Sequence, residues 1–250
     1  MKMIDLDVLV LAAGKSERIR SIADGLPKPL LKVGGRSVLE QNLRRLAKQG
    51  IGQAWINVHY RPEAIREAIG DGAQLGLKVR YSMEAEILGT AGAARHLLSH
   101  WTGRLLVVYG DNLLSFDLQR LASVHRESGA PVTIGLFDRR ISAHTGIAGG
   151  RVTVDDERRI TSFRELGDQG GPAEGLVNAG VYLIERDILA RIPPDTFFDF
   201  ARDLFPALIA EGLPLNAYVF GPEEYCLGID TPEHFSAAQK LFNARAIRFQ

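Results

Sequence analysis

The feature that most constrains the fold of this chain is an alternation running through its first half. Short β-branched or leucine-rich runs at residues 8–11, 54–58, 77–81 and 105–109 are separated by segments with a helical period. Strands that are apolar on both faces need cover on both faces, and helices crossing between parallel strands provide it. The intervening segments carry the matching signals. Ser37-Val38-Leu39-Glu40 is a capping box, Leu39, Leu43 and Leu46 fall on one helical face, and Gly50 stops the pattern. A second helix opens at Pro62 and closes near Gly70, and a third covers residues 91–98. The resulting βαβαβαβ order predicts an α/β fold built on a Rossmann-like, doubly wound sheet.

Beyond Asp117 the pattern continues with a helix through Leu118, Leu121 and Val124 and a strand at 131–137, then turns irregular and β-rich. Residues 152–154, 160–163 and 177–184 read as strands. Residues 197–211 and 232–244 read as closing helices, the latter with Thr231 as N-cap. No repeat, low-complexity tract or linker divides the 250 residues, so a single domain over 1–250 is expected. The 30 basic and 30 acidic side chains are interspersed and sum to zero net charge. That argues against sequence-independent binding to nucleic acid or to an anionic membrane, and favours small-molecule partners. Asp5 and Asp7 precede a first apolar run too short for a signal or spanning segment. Cys226, the one cysteine, excludes an intramolecular disulfide and a cysteine-based zinc site, and suits a reducing, cytoplasmic location. The six histidines show no metal-ligand spacing, and Trp55 and Trp101 are expected to pack rather than to stack on a base.

In an open parallel sheet, ligands bind beyond the carboxyl ends of the strands, so the residues that follow each strand are the candidates for chemistry. The first strand leads into Leu11-Ala12-Ala13-Gly14-Lys15-Ser16-Glu17-Arg18 and then Pro27-Lys28-Pro29-Leu30. Small residues let backbone N–H groups approach an anion, and Arg18 and Lys28 can neutralise a triphosphate. A tight turn with a surface arginine would use the same residues. Gly14-Lys15-Ser16 does not make a P-loop, because the first glycine of that motif would fall at Leu9, inside the strand. After the fourth strand Gly110 delivers Asp111, and late in the chain Asp230 precedes Thr231-Pro232. Magnesium takes one or two protein carboxylates together with substrate phosphates, so the two acids can serve as its ligands. Equally, each acid suits a turn or a helix start.

The ordered set is more specific than its pieces. Ala12-Ala13-Gly14, Pro27-Lys28-Pro29, Glu84 with Gly89-Thr90-Ala91-Gly92, Gly110-Asp111, Glu165, Asn178-Ala179-Gly180 and Asp230-Thr231-Pro232 together resemble the sugar-phosphate nucleotidylyltransferase family over residues 5–240. The resemblance implies a mixed sheet of the nucleotide-diphospho-sugar transferase type. A nucleotide-binding half would cover residues 1–115 and a sugar-binding half residues 116–250. It implies that a nucleoside triphosphate and a sugar 1-phosphate condense, with Mg2+, to a nucleotide-sugar and pyrophosphate. Carried over residue by residue, the nucleotide-binding positions are Leu11, Ala12, Ala13, Gly14, Glu84, Gly89 and Thr90. Arg18 would meet the leaving pyrophosphate, Lys28 the α-phosphate, and Asp111 and Asp230 the metal. Gly146, Glu165 and Asn178 would hold the sugar. The run from Tyr81 to Gly92 looks most like guanylyltransferases acting on mannose or heptose 1-phosphates, with UTP the second choice of nucleotide, and homodimerisation stays open.

Three departures from the family pattern bear on particular residues. Many relatives have Gly-Thr where this chain has Ser16-Glu17, which adds an acid beside the triphosphate path. Relatives often follow the sugar-binding glutamate with a lysine for the sugar phosphate, but Glu165 is followed by Leu166-Gly167-Asp168, leaving Arg139 or Arg164 as substitutes. The late acid sits two residues further on than in the family's Asp-x-Gly-Thr-Pro, a shift that keeps the same face of a strand. Two alternatives follow: a cytidylyltransferase for a phosphorylated alcohol, which shares the Asp-Thr-Pro ending, and a regulatory subunit that binds a nucleotide-sugar without turnover.

Overall fold

The computed structural model describes residues 6–145, 150–164 and 175–247. In its first half the chain runs β1 (Asp7–Leu11), α1 (Arg20–Ala23), β2 (Lys32–Val33), β3 (Arg36–Ser37), α2 (Val38–Lys48), β4 (Gln53–Val58), α3 (Pro62–Ile69), β5 (Lys78–Met83), α4 (Gly89–His96) and β6 (Leu105–Tyr109). The second half runs β7 (Asn112–Ser115), α5 (Leu118–Ser128), β8 (Val132–Asp138), β9 (Ala143–His144), β10 (Arg151–Val154), β11 (Ile160–Arg164) and β12 (Leu176–Ile184). It closes with α6 (Arg186–Ala190), a π-helical turn (Phe200–Leu204), α7 (Phe205–Ala210), β13 (Leu215–Val219), β14 (Tyr225–Gly228) and α8 (Pro232–Asn243).

The main sheet carries the order β5-β4-β1-β6-β12-β8-β13, with β10 and β11 alongside the start of β12. Parallel pairing of β1 with β4 and β6, and of β4 with β5, matches the expected crossovers. β12 enters antiparallel between β6 and β8, so the sheet is mixed, as the resemblance implies. Side chains alternate across it. Val8 and Val10 join Leu39, Leu43 and Leu46 of α2 and Leu118 and Leu121 of α5 on one face. Leu9 and Leu11 join Ala91 and Ala94 of α4, Leu189 of α6 and Phe205 of α7 on the other. Each fully buried leucine or isoleucine contributes about 1.5–3 kcal/mol, so the two layers hold the strand ends at fixed positions.

A third cluster lies at the carboxyl end of the sheet and matters most for chemistry. Ile19 is fully buried and packs with Leu31, Val33, Leu113, Leu227, Ile229 and Ala238. It ties the loop after β1 to the small sheet formed by β7, β14 and β9, and to α8.

Local signals acted largely as the sequence predicts. Ser37 Oγ accepts the Glu40 N–H at 3.2 Å, although the Glu40 carboxylate turns to Arg44 at 2.9 Å and does not reciprocate the box. Thr231 Oγ1 accepts the His234 N–H at 3.3 Å, as an N-cap should. Trp101 is buried with its Nε1 donating to the Ala94 carbonyl, and Trp55 packs beside His100 and Arg80. Cys226 is fully buried. The expected helix 197–211 is corrected: residues 197–199 are not helical, Phe198 bonds to the start of α4, and helical structure starts at Phe200 under the Asp199 cap. The third helix starts at Gly89, two residues earlier than expected.

Candidate active site

The loop that leaves β1 is built by three contacts. Gly110 follows β6 and donates its N–H to the Leu11 carbonyl at 2.9 Å, and a Cβ at Gly110 would lie 2.9 Å from that oxygen, so only glycine allows the two strand ends to meet. Ala12 donates its N–H to Asn57 Oδ1 at 2.8 Å. Ser16 adopts a left-handed backbone, φ 57, and its hydroxyl accepts the Lys28 N–H at 2.8 Å. Left-handed geometry favours glycine, and the hydroxyl contact is what recompenses a serine there. Glu17 is exposed.

That last bond fixes Lys28 over the strand ends. Its Nζ contacts Asp111 Oδ2 and lies 2.5 Å from Asp230 Oδ1, and Arg18 Nη2 stands 3.4 Å from the same Asp230 oxygen. The lysine and both acids are mostly buried. Burial pushes the Lys28 ammonium down, but Asp111 and Asp230 push it up and leave its pKa above the ordinary value. Burial likewise raises the Asp230 carboxyl, while Lys28, with help from Arg18, outweighs it and holds it below the usual carboxylate range. The strand-face argument for the displaced acid is corrected: Asp230 lies in a bend two residues beyond the end of β14, and from there it reaches the same cation as Asp111.

A cleft of about 670 Å³ opens over this trio. Gly14, Arg18, Lys28, Asp111, Asn178 and Asp230 line it. A smaller, mainly apolar lobe of about 230 Å³ adjoins it and is lined by Leu11, Ala13, Gly14, Glu84, Gly89 and Thr90, together with Ile87 and Phe197. Gly14, Thr90, Tyr109, Asp111 and Asp199 border both, so the two are one continuous depression.

Of the described residues expected to bind nucleotide, pyrophosphate or metal, Ala12 is the one that does not line the cleft: it is buried and its N–H is committed to Asn57. Glu84 lies at the inner wall of the smaller lobe, where Oε1 accepts Asn57 Nδ2 at 2.7 Å and Oε2 accepts the Leu88 N–H at 3.1 Å. Gly89 serves a close approach: at φ 76, a Cβ would stand 2.5 Å from the Phe198 carbonyl oxygen. Asn178 Nδ2 donates to Tyr182 Oη at 2.7 Å, while its Oδ1 accepts the Gly180 N–H at 3.0 Å. The bend follows from Gly180, φ 71, where a Cβ would lie 2.6 Å from the Tyr109 ring. Gly146 and Glu165 lie outside the described residues. Arg139 and Arg164 line neither lobe, whereas Arg202 lines the larger one.

Sequence reasoning missed Asn57, Tyr109, Phe197, Asp199 and Arg202. Tyr109 ends β6 and Asn57 is the next-to-last residue of β4, so the strand-end rule could have found them. Asp199 caps the π-helical turn, its Oδ1 accepting the Ala201 and Arg202 N–H groups at 2.9 and 3.1 Å and its Oδ2 accepting Thr90 Oγ1 at 2.8 Å.

A metal site can be tested on this arrangement. No group of three or more His, Cys, Asp or Glu side chains suited to a metal occurs among the described residues. Two carboxylates from distant parts of the chain nevertheless converge on a single cation, here the Lys28 ammonium. Two carboxylates completed by phosphate oxygens are what magnesium requires, so the donors fit.

Residues 7–225 match the family model for nucleotidyl transferases. The chain belongs to that family. Mannose-1-phosphate guanylyltransferase of Mycobacterium tuberculosis is 33% identical over 92% of this nucleotidyl transferase, which spans 62% of that relative's length. UTP--glucose-1-phosphate uridylyltransferase of Synechocystis is 30% identical over 95% of the chain and 64% of its own length. The D-glycero-alpha-D-manno-heptose 1-phosphate guanylyltransferase of Campylobacter jejuni is 29% identical, with 92% of this chain and 97% of that one aligned. The crystal structure of HddC from Yersinia pseudotuberculosis shares the fold at TM-score 0.78 and 24% identity, covering 95% of this chain and 99% of that one. No helix among the described residues of this nucleotidyl transferase is long and apolar enough to cross a membrane.

Proposed function

We propose that this nucleotidyl transferase joins a sugar 1-phosphate to a nucleoside triphosphate, GTP before UTP, and releases pyrophosphate. The observation that carries this reading is the convergence of Asp111, Asp230 and Arg18 on or beside Lys28 at the mouth of a cleft. The polar lobe suits the phosphates and the sugar, and the apolar lobe, with Glu84 at its wall, suits the base. Relatives that align at 28–33% identity are named guanylyltransferases and a uridylyltransferase for sugar 1-phosphates, which supports that choice of substrates.

In-line attack of a phosphate oxygen on the α-phosphorus asks the protein for position and for positive charge, not for a nucleophile. Lys28 would bind the α-phosphate and Arg18 the departing pyrophosphate. Asn178 sits where the sugar would lie. Arg202, on the wall of the larger lobe beside the Asp199 cap, would meet the sugar phosphate in place of the lysine that does not follow Glu165. Asp111 and Asp230 would hold Mg2+, which supplies charge neutralisation on the phosphates when bound. A cytoplasmic setting, with Cys226 reduced, fits such a reaction.

The test is pyrophosphate release from GTP, UTP, CTP, dTTP and ATP, each with a panel of sugar 1-phosphates and Mg2+. Turnover with GTP or UTP and one sugar 1-phosphate is expected. Turnover only with CTP and a phosphorylated alcohol would favour a cytidylyltransferase, and nucleotide-sugar binding without turnover would favour a regulatory subunit.

A further inference from the structure

We infer that Phe197 is the stacking surface for the nucleotide base and biases the site toward a purine. The inference rests on the proposed nucleotide-binding role of the smaller lobe. Phe197 is 58% exposed, the most exposed large apolar side chain among the described residues, and it borders that lobe with Leu11, Ala13 and Ile87. A solvent-facing phenyl ring on a loose loop would need no explanation, but the backbone that follows Phe197 is held against the start of α4. Phe198 donates its N–H to the Leu88 carbonyl at 2.9 Å, and its own carbonyl accepts the N–H groups of Ala91 and Gly92, each at 2.9 Å. Thr90 Oγ1 donates to Asp199 Oδ2 at 2.8 Å and accepts the Phe200 N–H at 2.9 Å.

The close approach is built into the sequence. A Cβ at Gly89 would lie 2.5 Å from the Phe198 oxygen, and one at Gly92 2.6 Å from the Thr196 oxygen, so both positions exclude a side chain. The neighbouring rings are spent on the core: Phe200 is fully buried and Phe198 packs against the same cluster. Phe197 is left with an unfilled apolar lobe beside it on a prepaid backbone. A ring held this way loses little further freedom when a ligand covers it. The ligand class is a flat, apolar-faced ring with polar edges, since Glu84 offers acceptors at the same lobe. Stacking scales with the face covered, so a purine gains more than a pyrimidine.

The experiment is calorimetric titration of GTP and of UTP, each with Mg2+ and without sugar phosphate, into wild-type protein, Phe197→Leu and Phe197→Tyr. Leucine keeps the apolar volume and removes the aromatic face; tyrosine keeps the face. Phe197→Leu is expected to weaken GTP about tenfold, by the usual strength of one aromatic stack, and UTP about threefold, with Phe197→Tyr near wild type. Unchanged GTP affinity in Phe197→Leu, or an equal loss for both nucleotides, would overturn the inference while leaving the site's function standing. Failure of wild-type protein to bind either nucleotide would overturn both.

Discussion

Lys28 is the residue on which the site's charge balance turns. Its ammonium faces two mostly buried carboxylates, and removing it leaves Asp111 and Asp230 facing each other, with the exposed Arg18 guanidinium, 3.4 Å from Asp230, as partial compensation. Breaking a buried pair costs about 3–5 kcal/mol, so Lys28→Met is expected to melt well below wild type and to recover part of the loss in millimolar Mg2+, which replaces the missing cation. A melting temperature unchanged by the substitution would contradict this. The pH dependence follows from the two shifts. Asp230 is held below its ordinary value, so its contribution is present above the unfolded pKa near 3.9 and is lost as pH falls through the lower folded value. Lys28 is held above its ordinary value, so its contribution is present below an unfolded pKa near 10.4 and is lost as pH rises through the higher folded value. The gap between wild-type and Lys28→Met stability should therefore be flat across neutral pH. Arg18, Lys28 and Asp111 were legible as charged residues that follow apolar strands, and Asp230 from its place before Thr231-Pro232. Phe197 and Arg202 were not, because in the run 197–211, read as a closing helix, neither carries a signal until tertiary contacts place it.

Among the elements, the start of α4 is shaped by what packs on it. Gly89→Ala forces a left-handed backbone on alanine and drives a Cβ into the Phe198 carbonyl. Strain of this kind costs about 1–3 kcal/mol, so the variant should show a lower urea midpoint and weaker GTP binding together. Loss of stability with GTP affinity intact would detach α4 from the nucleotide lobe. Helix α5 is seated on the sheet by His125, whose ring nitrogens lie 2.8 Å from Thr133 Oγ1 and 3.2 Å from Glu185 Oε1. Burial lowers its pKa, with the Glu185 hydrogen bond opposing. The unfolded chain then takes up a proton near pH 6.5 before the folded one does, so stability falls as pH drops below that point. His125→Gln should flatten this slope in urea titrations at pH 5 to 7, whereas wild-type stability that rises on acidification would contradict the assignment. Strands β1, β4, β5 and β6 and helices α2, α3 and α4 were legible from period and caps, whereas α1 and the two-residue strands β2 and β3 were not. β7, β13 and β14 were not: each is a short strand whose partner lies far away in sequence, so its pairing is fixed by topology rather than by local pattern.

At the scale of the whole molecule, β12 decides the architecture. By entering antiparallel between β6 and β8 it joins strands from both halves into one sheet, and it brings Asn178 to the cleft that β1 and β6 open. The α8 end returns to the first half through Ile229 and Ala238, which pack with Ile19 and deliver Asp230 to Lys28. An alternating first half already implied a nucleotide-sized crevice at the strand ends. Local pattern could not show by itself that residues 18, 28, 111 and 230 meet; the family resemblance implied it, and the fold brings the four side chains together. The most direct test of the proposed reaction at this cluster follows label through the products. With the productive sugar 1-phosphate and Mg2+, label from [α-32P]GTP or [α-32P]UTP should appear in the nucleotide-sugar and label from the γ position in pyrophosphate, with both transfers lost in Asp111→Ala. Label from the γ position in the sugar product, or transfer that survives in Asp111→Ala, would contradict the account.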